Sequence, residues 1–353
     1  MIDIQIFNKI DQALMGIGKG LKPLSYSEPT NEPEQKRKFL DGTIRNPSFL
    51  YKELEYDPQD VKERLNAIEI PDGKLGKVYE KKRRNALLEN KIIIHRGDED
   101  IVRESTILMH GSPDRELVEY ADSLLLKIDP IIIKTPLTSD IARDALQQAL
   151  YGNGLTDWTT ELSKKKSTTV YTGEKKMTVC EDRKFSEGAI KRLKVHDIIH
   201  ALRGANGYAQ PLSIFVLGFP GYMSTEEGLT TYFEQITGNS NDQMKREYAA
   251  RVIAVDSVCQ GLNFRRAFNR LKDYGLTDNK AWDTAVRTYR AGGYVKDHVY
   301  LQGNRLIYEF VENGGDIKEL FVGKIGIDDL PLVRRLREKG IVKEPVYLPS
   351  FLE

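Results

Sequence analysis

Apolar residues recur every three or four positions through most of the chain, the period of a helix with one face turned to a core. Ile6, Ile10, Leu14 and Ile17 form such a stripe and predict a helix over 2–18. A loop over 21–34, with three prolines, follows. The same period predicts helices over roughly 34–41, 57–67, 74–90, 97–109 and 113–126. Asp129-Pro130-Ile131-Ile132-Ile133-Lys134 is a short apolar run that reads as a strand or a linker. A helix over 138–151, capped by Thr138 or Ser139, ends at Asn153-Gly154. The pattern then changes. TDWTTEL (156–162), STTVYTG (167–173) and KKMTVCE (175–181) alternate and are rich in Thr, Val, Tyr and Trp. They predict a small antiparallel sheet of three strands, with Lys164-Lys165-Lys166 and Gly173-Glu174-Lys175 as the turns.

Helical periodicity returns over 187–204, where Asn206-Gly207 is expected to break it. A Gly- and Pro-rich loop over 208–224 leads to Thr225, the expected cap of a helix from Glu226 to about Ile236. Further helices are predicted over 241–262, 263–274 and 278–291. Residues 287–315 show a Gly-Gly turn and then alternating aromatic and polar residues, and a last helix starts at Asp328-Asp329-Leu330-Pro331. The expected fold class is α+β, predominantly helical, with a small antiparallel sheet beside the helix that carries His196 and His200. The chain is expected to divide into an N-terminal helical region over 1–134 and a second domain over 135–353.

Composition narrows the classes. With 40% hydrophobic and 30% charged residues, the chain reads as an ordinary globular protein whose core needs no disulfides. A net charge of +1 supplies no field that would draw nucleic acid or an acidic membrane. Cys180 and Cys259 lack C-x-x-C spacing and read as reduced thiols of a cytoplasmic protein. No signal peptide or apolar membrane span is evident. The basic run Lys81-Lys82-Arg83-Arg84 reads as a solvated helix face.

The chemistry gathers between Lys194 and Tyr232. His196-Asp197-Ile198-Ile199-His200 puts two imidazoles four apart, on one helical face. The pair Glu226-Glu227 follows on the next predicted helix. Two His and one carboxylate form a three-ligand zinc site with an open fourth position. The pentapeptide is close to H-E-x-x-H, whose acid is the general base for water, but Asp197 is one methylene shorter than Glu. Against this, the two His can be satisfied polar residues of a partly buried face, and the Glu pair can be two exposed capping acids. His95 and His110 sit at helix ends, and His298 reads as a surface residue near a turn.

VHDIIHALRGANGYAQPL followed by FPGYMSTEEGLTTYFE resembles the core of the flavohemoglobin expression-modulating QEGLA-motif proteins, whose eukaryotic members are the microtubule-associated tyrosine carboxypeptidases. GLTDWTTEL, MTVCEDRKFSEGAIKRL and YRAGGYVKDHVYLQG extend the resemblance over roughly 135–340. It implies a zincin-like metallopeptidase core over 135–353 that removes a C-terminal residue from a peptide or protein. His196, His200 and Glu227 would be zinc ligands, with Glu226 the fallback, and Asp197 would stand at the catalytic acid. Two departures are visible: the family's His are five apart, as H-E-x-x-x-H, and its acid is Glu. Arg203, Arg290 and Lys296 are candidates for the substrate's carboxylate. Arg203 and Arg290 suit internal ion pairs equally well. Tyr222 and Tyr300 are candidate oxyanion donors, or packed aromatics. The rival expectation is a zincin-fold regulatory or peptide-binding protein with weak or absent turnover.

Overall fold

The structure, a computed structural model, describes residues 3–352 except 19, 22, 131–133 and 165–167. The isoleucines of the apolar run after Pro130, and Lys165-Lys166 of the expected turn, lie outside the described residues. Two compact units share the chain. One is Met1–Pro130 with Asp242–Gln302; the other is Ile131–Asn241 with Gly303–Glu353. The segment Asp242–Gln302, which the sequence reading grouped with the later domain, thus clusters with the earlier residues.

The first unit is built of helices, as its periodicity predicts. They include Ile4–Gly18, Glu32–Leu40, Pro58–Asn66, Lys74–Ile94, Glu99–His110 and Arg115–Lys127, then Asp242–Cys259, Phe264–Asp273 and Asp278–Tyr289. Asp57, Asp98 and Asp114 start three of them by accepting from otherwise unpaired backbone N–H groups. An aromatic knot closes the core, with Phe39 meeting Phe264, Phe268 and Trp282 at 5.1, 4.9 and 5.1 Å between ring centroids. His298 is 0% exposed, so it is a core residue and not the surface histidine expected. Its half of the chain also differs in form. The run read as alternating is the helix Val299–Glu312, whose buried Gly303, Asn304 and Ile307 fall at helical spacing.

In the second unit the helix Ser139–Gly152, strand β3 (Lys176–Cys180) and the helix Glu187–Ala209 share a core of Ala142, Leu146, Val179, Phe185, Ile190 and Leu193. β1 (Thr159–Ser163) and β2 (Thr169–Tyr171) flank β3 in the order β1-β3-β2. The expected antiparallel sheet is therefore mixed. β2 pairs antiparallel with β3, whereas β1 runs parallel to it, from Thr159 opposite Lys176 to Ser163 opposite Cys180. β3 is the strand with buried residues, Met177, Thr178 and Val179, so it takes the centre. Two chain reversals separate β1 from β3, which makes the two point the same way.

The helix Glu187–Ala209, here the histidine helix, starts where Ser186 accepts a bond from Ala189 N at 3.0 Å. It does not stop at Asn206-Gly207. A Cβ at Gly207 would lie 2.5 Å from the Phe215 carbonyl, so this glycine admits a crossing chain instead of turning its own. The Asn206 amide serves the tail: its oxygen accepts from Val346 N and Tyr347 N at 2.8 and 2.9 Å, and its nitrogen donates to Tyr347 O at 2.7 Å. Gln210 exchanges two bonds with the Lys343 backbone, at 2.9 and 3.0 Å. The next long helix, Tyr222–Ile236, here the acid helix, starts at Gly221, one turn before the expected Thr225 cap. That shift buries Glu226 and Glu227 within the helix and removes them from the role of exposed capping acids.

Candidate metal centre

His196 and His200 lie one turn apart with ring centroids at 5.1 Å, at an angle of 67°. Their Nε2 atoms converge on one carboxylate oxygen, Oε2 of Glu227, at 3.6 and 3.7 Å. The three ligand atoms lie within 4.8 Å of one another, and this is the group with metal-ligand spacing among the described residues. Glu227 Oε2 is buried and has no hydrogen-bond partner. A buried acceptor without a partner is costly. A cation among two imidazoles and a carboxylate would satisfy it, and that donor set is one zinc accepts.

The other ring nitrogens face outward to acids. His196 Nδ1 lies 2.7 Å from Glu234 Oε1, which also accepts from Arg192 at 3.0 Å. His200 Nδ1 lies 2.8 Å from Glu226 Oε1. The second Glu226 oxygen accepts from Arg203. Arg203 is fully buried and donates further to the carbonyls of Leu320 and Ile325, at 3.0 and 2.6 Å. It is thus an internal ion-pair residue, one of its two expected roles. Burial alone would raise the Glu226 carboxyl, but Arg203, the bond to His200 and the charge of Lys324 hold it down at about 2. Burial opposes a charge on His200, yet Glu226, Glu227 and Asp197 together raise its pKa. Burial raises the Asp197 carboxyl, against the pull of His196, His200 and Arg192. Asp197 Oδ2 is also buried without a hydrogen-bond partner.

Tyr222 opens the acid helix in this same unit and is half-buried. The remaining candidates belong to the first unit. There Arg290 lies over the Tyr294 ring at 5.4 Å, Lys296 is half-buried, and Tyr300 stacks on Tyr248 at 5.3 Å with Arg251 across its face. Sequence reasoning passed over Arg192, Glu234 and Lys324. A signal existed for two of them: Arg192 precedes His196 by one helical turn, and Glu234 follows Glu227 by two.

The profile of one family, microtubule-associated tyrosine carboxypeptidase, matches residues 37–353. The chain belongs to the microtubule-associated tyrosine carboxypeptidase family. No curated protein matches it. Membership reaches beyond the 135–340 of the sequence resemblance and takes in most of the first helical region. It gives the chain a carboxypeptidase-like hydrolase function at the level of class. Among the described residues no helix is long and apolar enough to cross a membrane.

Proposed function

We propose that this family member is a zinc-dependent carboxypeptidase that releases a C-terminal residue from a peptide or protein. The observation that carries the reading is the convergence of two imidazole Nε2 atoms on the buried, partnerless Oε2 of Glu227. His196, His200 and Glu227 would hold the ion. A zinc ion there supplies Lewis acidity, polarising the scissile carbonyl and lowering the pKa of water to about 7. Asp197 accepts the proton of the attacking water and returns it to the leaving amine. Its reach falls one methylene short of a glutamate's. Arg203 serves by fixing Glu226, since three of its nitrogens are already engaged. Tyr222 is the proposed oxyanion donor from this unit. For Arg290, Lys296 and Tyr300 the proposed substrate role rests on the family resemblance of YRAGGYVKDHVYLQG and on the affinity of cations for carboxylates.

The deciding experiment is the metal content of protein purified without added zinc, beside His200→Ala. About one zinc per chain, lost in the variant, is the expected result. A C-terminal release assay on peptides with free and amidated ends then follows, with release expected from the free ends alone. Folded protein that rejects added zinc sinks the reading. Zinc-loaded protein that binds peptides without cleaving them turns it into the rival, a peptide-binding protein.

A further inference from the structure

The two histidines are held from behind by separate devices. Each Nδ1 lies within hydrogen-bond distance of a buried carboxylate, Glu234 for His196 and Glu226 for His200. Each carboxylate is in turn bound by an arginine from the histidine helix itself, Arg192 and Arg203. An ionised carboxylate only accepts, so each Nδ1 must carry the proton that it donates. The lone pair of each neutral ring is then left on Nε2, the atom that faces Glu227.

We infer that Glu226 and Glu234 are positioning residues that fix both imidazoles as Nδ1–H tautomers, and that Arg203 and Arg192 fix the two acids. The adjacent glutamates thus divide the labour: Glu227 faces the ion and Glu226 stands behind a ligand. The histidine helix supplies ligand and arginine in each chain of contacts, Arg192 with His196 and Arg203 with His200, while the acid helix supplies the carboxylate between them. The His200 arm is the more firmly anchored. Arg203 is also bonded to the carbonyls of Leu320 and Ile325, and the half-buried Lys324 adds its charge beside Glu226. The inference rests on the proposed metal centre for its purpose, but the tautomers rest on hydrogen bonds alone.

A glutamine is the informative replacement. At 226 its single oxygen cannot serve both Arg203 and the His200 N–H. The buried guanidinium takes it, and the amide N–H₂ then faces Nδ1, which must become the acceptor. The proton moves to Nε2, where a ligand lone pair is needed. Glu226→Gln is expected to weaken zinc binding 10–100-fold, read by competition with a chromophoric chelator, with the circular dichroism spectrum unchanged; at 234 one oxygen already takes both bonds, so Glu234→Leu is the variant expected to do the same. Nitrogen-15 spectra of histidine-labelled full-length protein with zinc should show His196 and His200 protonated at Nδ1 and coordinated through Nε2. If no zinc binds, the same spectra taken without metal, at a pH where the rings are neutral, should still show Nδ1–H at both. Coordination through Nδ1, a predominant Nε2–H form in metal-free wild type, or wild-type affinity in Glu226→Gln or Glu234→Leu overturns the inference. Loss of peptide release with zinc and tautomers intact overturns the carboxypeptidase reading and leaves this one standing. The spectra of the wild type decide the matter even where a variant fails to fold.

Discussion

Asp197 and Glu227 are both buried acids with an oxygen that lacks a partner, yet they answer to different tests. Asp197→Asn should lower peptide release by about 10²–10⁴-fold while the metal stays bound, because it removes a proton acceptor and no ligand. Glu227→Gln should instead lose the metal, read by elemental analysis of the purified variant. A third acid bears on stability. Burial would raise the Asp297 carboxyl, but Arg287, Arg251 and Arg290 outweigh it and hold it below the usual range. A depressed pKa contributes stability that is present above the unfolded value, near 3.8, and is lost as pH falls through the folded one. Asp297→Asn should therefore be less stable than wild type at pH 7 and lose less on acidification below about pH 4, as measured by urea unfolding across that range. At this scale the sequence was informative where spacing along one helix decides. His196 and His200 follow from their four-residue separation. Glu226 and Glu227 were not separable, because adjacent residues differ by a rotation whose outcome depends on where the acid helix starts. His298 was misjudged because a glycine turn nearby says nothing of what covers it.

Between elements, the acid helix meets the helix Val299–Glu312 at a crossing with no room for side chains. A Cβ at Gly228 would lie 2.3 Å from the Gly303 carbonyl, and one at Gly303 would lie 1.9 Å from the Ser224 carbonyl. The obstacles are backbone atoms, so neither can swing aside. Gly228→Ala and Gly303→Ala should each destabilise by about 1–3 kcal/mol, seen as a lower midpoint in denaturant. The acid helix carries Glu226, Glu227 and Glu234, so a shift at the crossing should also weaken metal binding. Element type was legible from hydrophobic period for nearly every long helix. Sheet direction was not, because pairing depends on which strand is buried, and the three strands differ little in composition. The helix Val299–Glu312 escaped because Leu306, Tyr308 and Phe310 alternate as they would along a strand.

For the molecule as a whole, net charge and composition bounded the class but could not reveal a chain that leaves one unit and returns to it, since that is a property of long-range contacts. The tail is the clearest case. Nothing in KEPVYLPS marks it as the partner of Asn206 and Gln210, yet the backbone of Lys343, Val346 and Tyr347 completes the end of the histidine helix. Ser350 N adds a bond to Asn153 at 2.9 Å, and Phe351 rests 5.0 Å from Phe233. A chain shortened after Val342 should unfold at lower temperature by calorimetry and hold zinc less tightly, though every proposed ligand remains.

The distance along the chain between Asn206 and Tyr347 also sets a clock. They are 141 residues apart, and Arg203 waits 117 residues for Leu320. At 5–20 residues per second a ribosome needs roughly 7–28 s to make the longer stretch. Through that interval the nascent histidine helix carries an unanswered amide and a guanidinium held by Glu226 but not yet by the carbonyls of Leu320 and Ile325. The proposed metal centre would then gain its last supports only once that stretch is made, and a chaperone that shields this helix would act in that window.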